Sequence, residues 1–181
     1  MKLWLVRHAQ PLVEAGICYG ASNVAADPVA TEEAAQRLAD VLPHGVGVIA
    51  SPLQRCERLA KVLRGLRPDL PYTLEPDLQE MDFGQWEGQR WDAIPRAELE
   101  NWTTAFDTWS CGGAESTGDF MRRVGAVWDE TLARKQPTVW ITHAGVIRAA
   151  SLLAQGLRQI RDAGQWPKAA PAWGQWQLAD I

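Results

Sequence analysis

Two histidines occupy positions where phosphate chemistry could occur. His8 follows an apolar run that begins at Leu3 and has Arg7 beside it, and His143 directly follows a second apolar run, residues 139–142. An imidazole can attack phosphorus, and a guanidinium can hold two phosphate oxygens in a bidentate fork. A histidine after a strand is also commonly a structural residue, so neither histidine alone decides the chemistry.

A third strand end adds a positive charge to this set. Residues 46–50 form another short apolar run, and Arg55 lies in the first turns of the helix that should follow it. Ligands of open parallel sheets bind beyond the carboxyl ends of the strands, and helix N-termini attract anions. We therefore expect Arg7, His8, Arg55 and His143 to converge on one dianionic group.

Alternating strand and helix patterns predict the scaffold that must position these residues. Strands are expected at residues 3–6, 46–50, 72–74 (at a sheet edge, because prolines flank it), 139–142 and 175–178. Helices are expected from an N-cap at Thr31, from Ser51-Pro52 to Gly65, from Ser116 through 131 and over 146–153, with an irregular helix over 90–109 broken near Pro95. The pattern predicts one domain over residues 1–181, an α/β three-layer sandwich with a mostly parallel central sheet flanked by helices.

Composition excludes several other classes of protein. The chain has 181 residues, 46% of them hydrophobic, which is enough for one sizeable core. A net charge of −4 is unlike the basic surface of a nucleic-acid-binding protein. No apolar stretch approaches the ~18 residues that a membrane span needs, and Lys2 and Arg7 make the N-terminus charged too early for a secretory signal. We expect no nucleic-acid or membrane partner.

The metal-binding residue types are scattered. Cys18, Cys56 and Cys111 include no pair at metal-ligand spacing, and the third histidine, His44, lies in a turn as a structural or exposed residue. An odd number of scattered cysteines is typical of reduced thiols in a cytoplasmic protein. We therefore expect no metal site and no disulfide.

Four segments follow one another between residue 3 and about residue 155. They read Leu5-Val6-Arg7-His8-Ala9, Ser51-Pro52-Leu53-Gln54-Arg55-Cys56, Glu80-Met81-Asp82-Phe83-Gly84-Gln85-Trp86-Glu87-Gly88 and Thr142-His143-Ala144-Gly145-Val146-Ile147-Arg148. In this order and spacing they resemble the motifs of the histidine phosphatase superfamily, the phosphoglycerate-mutase-like group. The resemblance implies that group's fold and a phosphomonoesterase that uses neither a metal nor a cofactor.

The resemblance also implies a role for each residue of the motifs. His8 would be the nucleophile that becomes phosphohistidine, while Arg7, Arg55 and His143 would hold the transferring phosphoryl group. Glu80 would protonate the leaving alkoxide and then activate water as a base. Alkyl phosphates have poor leaving groups, so a proton donor is required by the chemistry as well.

The implied substrate is a small phosphorylated metabolite. Tyr19, Ser22 and Ala144 would add substrate contacts to those of the arginines and Glu80. Residues 16–20, 80–88 and 112–116 look most like the α-ribazole phosphatase branch, which makes α-ribazole 5′-phosphate the leading substrate. Two departures weaken this finer resemblance: residues 9–11 read Ala-Gln-Pro where relatives commonly have Gly-x-Thr, and residues 20–23 read Gly-Ala-Ser-Asn where relatives have Gly-Arg-x-Asp.

Several alternatives stay open at this point. Asp77, Asp82 or Glu87 could replace Glu80 as the acid. Glu115 could contact substrate, although compensation of the charge of a helix N-terminus is the simpler interpretation. Arg148 is expected to form an ion pair rather than to bind phosphate.

The nearest rival function is a cofactor-dependent phosphoglycerate mutase. A mutase must exclude water, and the short chain after residue 155 offers little material for a lid, which favours hydrolysis. A second rival is a non-catalytic domain that binds phosphate or a phosphoprotein, and a phosphoprotein phosphatase is a third. The tryptophan-rich residues 86–109 are expected to cover the cleft. The oligomeric state is not predictable from the sequence.

Overall fold

Five strands form a single sheet in the computed structural model, which describes residues 1–181. The strands are β1 (Lys2–Arg7), β2 (Gly47–Ala50), β3 (Tyr72–Leu74), β4 (Thr138–Thr142) and β5 (Trp176–Asp180). Their order is β3-β2-β4-β1-β5, and every pair is parallel except β1 with β5. The carboxyl ends of β2, β4 and β1 therefore open side by side at one edge of the sheet.

Helices cover both faces of this sheet. They are α1 (Pro28–Val41), α2 (Gln54–Leu66), α3 (Arg96–Thr104), α4 (Thr117–Arg134) and α5 (Ala144–Leu153). Because strand side chains alternate between faces, Trp4 and Val6 of β1 pack in one core with α1 and α2, while Leu3 and Leu5 pack in the other with α4 and α5. The predicted three-layer sandwich with a mostly parallel sheet is confirmed.

Two predicted helix starts are wrong. The first helix begins at Pro28 rather than after Thr31, because the Asp27 carboxylate accepts a hydrogen bond from the Ala30 amide and proline suits the first helical position. The second helix begins at Gln54 rather than at Ser51-Pro52, and it has no side-chain cap. The hydroxyl of Ser51 is used elsewhere, 2.8 Å from His143 Nε2.

The remaining element predictions agree with the structure. The strand at residues 72–74 lies at the edge of the sheet, and α3 begins just after Pro95, behind a 3₁₀ turn. Ser116 caps α4 by accepting a hydrogen bond from the Asp119 amide at 3.1 Å. The helix α5 begins at Ala144, so His143 is the residue that joins β4 to α5.

Candidate active site

The parallel register of β1 and β4 brings the two histidines together. Arg7 pairs with Thr142 across the two strands, so His8 and His143 are the next residues at the same level. Their ring centroids are 5.2 Å apart, and the rings are inclined by 60°. The predicted convergence of these strand ends is therefore observed.

His8 is held as a neutral imidazole. Its ring is 2% exposed, and Nδ1 lies 2.7 Å from the carbonyl oxygen of Ala9. Burial lowers the pKa of His8 to about 3, and the charges of Arg55 and Arg7 act in the same direction. Because a carbonyl can only accept, Nδ1 carries the proton, and Nε2 keeps a free lone pair. That lone pair is what a nucleophile requires.

His143 is completely buried beside His8. Its Nε2 lies 2.8 Å from the Ser51 hydroxyl and 3.5 Å from the sulfur of Cys56. Burial holds the pKa of His143 well below its ordinary value, and the charge of Arg55 adds to this effect. Burial also raises the pKa of the Cys56 thiol, which keeps the sulfur protonated and unreactive. Ser51 and Cys56 thus fix the orientation of a second neutral imidazole.

Two arginines supply the positive charge of the site. Arg55 is fully buried and donates from its two terminal nitrogens to the carbonyl oxygens of Ser22 at 2.7 Å and Gly20 at 2.6 Å. Arg7 donates to the carbonyl of Pro171 at 3.0 Å. In both residues Nε is buried without a hydrogen-bond partner, which is costly unless an acceptor binds there. These two donors can serve an oxyanion.

The three predicted substrate contacts have different surroundings. Tyr19 places its ring over Arg55, with the guanidinium carbon 5.4 Å from the ring centroid. The amide and the hydroxyl of Ser22 both donate to the Glu87 carboxylate, so these contacts hold the loop that carries Ser22. Ala144 is a buried residue in the first turn of α5. Contact of these residues with substrate stays a prediction.

Among the candidate acids, only Glu80 bonds to the helix that follows His143. Its Oε2 accepts a hydrogen bond from the Gly145 amide at 3.0 Å, and its negative charge acts on Arg7 and Tyr19. A Cβ at position 145 would overlap this carboxylate, which explains the glycine.

None of its three competitors bonds to this helix. Although burial alone would raise the pKa of Glu87, hydrogen bonds from Ser22, Phe83 and Ala21 outweigh it and lower the pKa. The Asp82 carboxylate accepts from the Gly84 amide. Asp77 lies in a short turn capped by Glu75, where its amide donates to the Glu75 carboxylate and its carbonyl accepts from Arg123.

A partly buried ion pair holds the segment that carries Glu80. Glu115 pairs with Arg123 at 2.6 Å, so its expected role as a helix-charge partner is replaced by a specific contact. Arg123 also donates to the backbone carbonyls of Asp77, Gln79 and Glu80 at 2.7 to 3.1 Å. Sequence reasoning missed Arg123, because the backbone carbonyls that it binds lie more than 40 residues away and no motif marks it.

A cavity of about 530 Å³ begins at Glu80. Six aromatic side chains line it: Phe83, Trp91, Trp102, Phe106, Phe120 and Trp166. The expectation that residues 86–109 cover the cleft is confirmed for Trp91, Trp102 and Phe106, whereas Trp109 is not part of the lining. Arg148 also lines the cavity and donates to the Lys168 carbonyl at 3.2 Å, so its expected ion pair is wrong.

The connection between α5 and β5 reaches over the site. Pro171 accepts the hydrogen bond from Arg7, and the ring centroid of Trp173 lies 5.3 Å from the guanidinium carbon of Arg7. Trp166 and Lys168 line the aromatic cavity. The expectation that the chain beyond residue 155 has little material for cover is therefore wrong.

Comparison with known proteins identifies the family. The model of the histidine phosphatase superfamily (branch 1) matches residues 3–171. The chain belongs to the histidine phosphatase superfamily. The match includes all four motif segments and every predicted site residue of this superfamily member.

Curated relatives of this histidine phosphatase carry one name. This chain is 29% identical over 191 residues to the adenosylcobalamin/alpha-ribazole phosphatase of Salmonella typhimurium, and the match covers 100% of this chain and 91% of that protein. It is 33% identical over 114 residues to the protein of the same name from Escherichia coli, covering 60% of this chain and only 54% of that relative. Among solved structures, TTHB049 from Thermus thermophilus matches with a TM-score of 0.74 at 28% identity, covering 99% of this chain and 94% of that one.

Family membership makes this protein a phosphatase- or mutase-type enzyme. No group of three or more histidine, cysteine or acidic side chains is arranged to hold a metal ion. All three cysteines are free and buried. His44 is exposed, as expected, and contacts Asp69. No helix combines the length and the apolar content that a membrane crossing requires.

Proposed function

We propose that this histidine phosphatase hydrolyses a small-metabolite phosphate monoester in two steps. In the first step Nε2 of His8 attacks phosphorus, the bond from phosphorus to the alcohol oxygen breaks, and Glu80 gives a proton to the departing alkoxide. In the second step water attacks phosphohistidine while Glu80 takes its proton. The P–N bond then breaks, and its electron pair returns to Nε2 as inorganic phosphate leaves.

The observation that carries this proposal is the neutral, buried His8 near two guanidinium groups whose charges act on it. Its pKa of about 3 leaves Nε2 unprotonated at neutral pH, and Arg7 and Arg55 each have a buried Nε donor free for phosphoryl oxygens. The uncharged His143 can donate a further hydrogen bond from its ring. Such fixed donors stabilise charge on the equatorial oxygens of a transferring phosphoryl group.

The best single candidate substrate is α-ribazole 5′-phosphate. Three curated relatives, at 28% to 33% identity, are named as phosphatases of adenosylcobalamin and alpha-ribazole compounds. The changes at residues 9–11 and 20–23 leave the phosphoryl-transfer residues intact but alter the loop beside them. A direct assay of this ester therefore tests the substrate assignment.

Phosphate release from a panel of esters tests the reaction. The panel contains α-ribazole 5′-phosphate, 3-phosphoglycerate and p-nitrophenyl phosphate, each assayed with EDTA present. We expect strong release from one alkyl phosphate. Failure of a folded protein to release phosphate from any of them would contradict the proposal and favour a phosphate-binding or phosphoprotein-binding role.

The nucleophile has a matched control in the same chain. We expect His8→Ala to reduce turnover by at least about 1000-fold and to abolish an acid-labile phosphoenzyme in rapid-quench labelling. His44→Ala removes an exposed histidine of a surface turn and should leave both unchanged. An unaffected rate in His8→Ala would contradict the assignment.

A phosphoglycerate mutase is the second candidate, favoured by one observation. The connection over Arg7, through Pro171 and Trp173, gives the site more cover than expected from the sequence. A mutase would interconvert 3- and 2-phosphoglycerate faster than it releases phosphate, because it keeps its phosphohistidine from water. Phosphorus NMR of both products in one reaction separates the two functions.

A further inference from the structure

The segment that carries Glu80 has no regular secondary structure. Residues 79–83 form an irregular connection between two 3₁₀ turns, Pro76–Leu78 and Gly84–Trp86. The carbonyl and amide groups of such a segment cannot pair within a helix or a strand, so they need partners from elsewhere in the chain. A general acid must also be held close to its productive geometry. The contacts of this backbone therefore bear directly on the chemistry proposed for Glu80.

One arginine of α4 binds the carbonyl groups on the N-terminal side of this segment. Nη1 of Arg123 donates to the carbonyl oxygens of Asp77 at 2.7 Å and Gln79 at 2.8 Å, and Nη2 donates to that of Glu80 at 3.1 Å. The Arg123 side chain is 19% exposed, so water competes little for these hydrogen bonds. A single planar guanidinium thus replaces the pairing that a strand or helix would give this backbone.

The partner of Arg123 binds the other side of the same segment. Oε1 of Glu115 accepts from Nε of Arg123 at 2.6 Å, and Oε2 accepts from Nη2 at 3.0 Å. The same Oε2 accepts from the Asp82 amide at 3.0 Å. The ion pair therefore contacts the backbone both before and after the side chain of Glu80.

We propose that Arg123 and Glu115 are positioning residues for the general acid Glu80. The inference rests on the proposed phosphatase function and assigns the placement of its acid to this ion pair. Gly145 contacts the Glu80 carboxylate, whereas Arg123 and Glu115 fix the backbone from which that side chain projects. A displacement of about 1 Å is enough to cost much of the rate of a catalytic group. Loss of the pair should therefore impair protonation of the leaving oxygen.

Two neighbouring arginines of α4 provide a matched pair of variants. Arg123→Lys keeps the charge but cannot bind a carboxylate and several carbonyls through one planar fork. We expect its kcat/KM to fall at least about 20-fold for the best alkyl phosphate of the panel and less than about threefold for p-nitrophenyl phosphate, whose leaving group needs no proton. Arg122 pairs with Asp119 and is 75% exposed, so Arg122→Lys should leave both values unchanged.

A second variant addresses the other half of the pair. Glu115→Gln keeps an oxygen for the Asp82 amide but removes the charge that faces Arg123, and should lower the alkyl value about fivefold with little effect on the aryl ester. It also decides the proposal if Arg123→Lys does not fold. Equal losses on alkyl and aryl esters in the folded variants would overturn the positioning role.

A double variant tests whether Arg123 acts through Glu80. In the Glu80→Gln background, Arg123→Lys should lower the alkyl kcat/KM by less than about twofold more, because the acid that it positions is already absent. Losses that multiply in the double variant would overturn the proposal. Equal alkyl and aryl losses in Glu80→Gln alone would instead contradict the acid role in the proposed function.

The Gly145 amide reports the position of the Glu80 carboxylate without any turnover. It donates to Oε2 of Glu80 at 3.0 Å, so its resonance in proton–nitrogen correlation spectra should move in Glu80→Ala, which lacks the acceptor. We expect Arg123→Lys to move this resonance in the same direction and Arg122→Lys to leave it in place. A wild-type Gly145 resonance in both Arg123→Lys and Glu115→Gln would overturn the proposal, even if no ester were hydrolysed.

Discussion

His8 and His143 are buried as neutral rings, which links the stability of the fold to pH. An unfolded histidine takes up a proton near pH 6.5, whereas the pKa of folded His8 is about 3 and that of His143 is also lowered, chiefly by burial. Between these values the unfolded chain binds more protons than the folded one. The free energy of unfolding must therefore fall as the pH falls below about 6.5.

We expect each buried histidine to contribute a slope approaching about 1.4 kcal/mol per pH unit below pH 6.5. Urea unfolding between pH 7.5 and 5 measures this slope above the range where most carboxylates titrate. His8→Ala should reduce the slope, and His44→Ala, at an exposed position, should not. An identical slope in His8→Ala and the wild type would contradict the burial of a neutral ring.

The acid role of Glu80 makes a prediction about leaving groups. Glu80→Gln keeps the shape but cannot donate the proton, so turnover of alkyl phosphates should fall by about 100- to 1000-fold. The aryl ester p-nitrophenyl phosphate leaves without protonation and should lose less than about tenfold. Steady-state kinetics on both ester types measures the difference, and equal losses would indicate a positional role.

At the scale of elements, the first turn of α5 determines where Glu80 lies. Gly145 donates its amide to the Glu80 carboxylate and has no room for a side chain. We expect Gly145→Ala to displace the carboxylate and lower kcat on alkyl phosphates by about 10- to 100-fold, with the fold retained.

A glycine in α2 is the matched control for this change. Gly65 has open space around its Cβ position, so Gly65→Ala should preserve kcat and stabilise the helix by about 0.5–1 kcal/mol. Circular dichroism together with kcat measures both effects. An unchanged kcat in Gly145→Ala would show that the position of Glu80 does not depend on this turn.

Strand ends were the most predictable elements of the site. Short apolar runs that end in Arg7-His8 and in His143 indicate buried parallel strands, and parallel strands open at one edge. Helix starts were less predictable, because several residues compete to cap them. Asp27 rather than Thr31 caps α1, and the Ser51 hydroxyl contacts His143 instead of capping α2.

Contacts between distant segments could not be predicted from the sequence. Arg123 forms an ion pair with Glu115 and donates to backbone carbonyls that precede Met81. The Glu87 carboxylate accepts hydrogen bonds from the amides of Ala21 and Ser22. Charged residues mostly lie on the surface, so their positions in the sequence do not indicate either of these contacts. Only the packing of the layers brings these partners within hydrogen-bond distance.

At the scale of the whole molecule, the positive charge of the site comes from arginine side chains. Arg7 and Arg55 flank His8, and no cluster of metal-binding side chains exists elsewhere. We expect exhaustive dialysis against EDTA to leave kcat within about twofold and the melting temperature within about 1 °C. A rate lost to EDTA and restored by a divalent cation would contradict a metal-free reaction.

The shared register of β1 and β4 also limits how the gene for this protein can change in length. His8 and His143 are neighbours because Arg7 is paired with Thr142. Side chains alternate along a strand, so one codon inserted within either strand would turn its histidine toward the opposite layer. Loops between the elements carry no such constraint. Variation in length should therefore accumulate in the connections, such as that between α5 and β5, and be absent from these two strands.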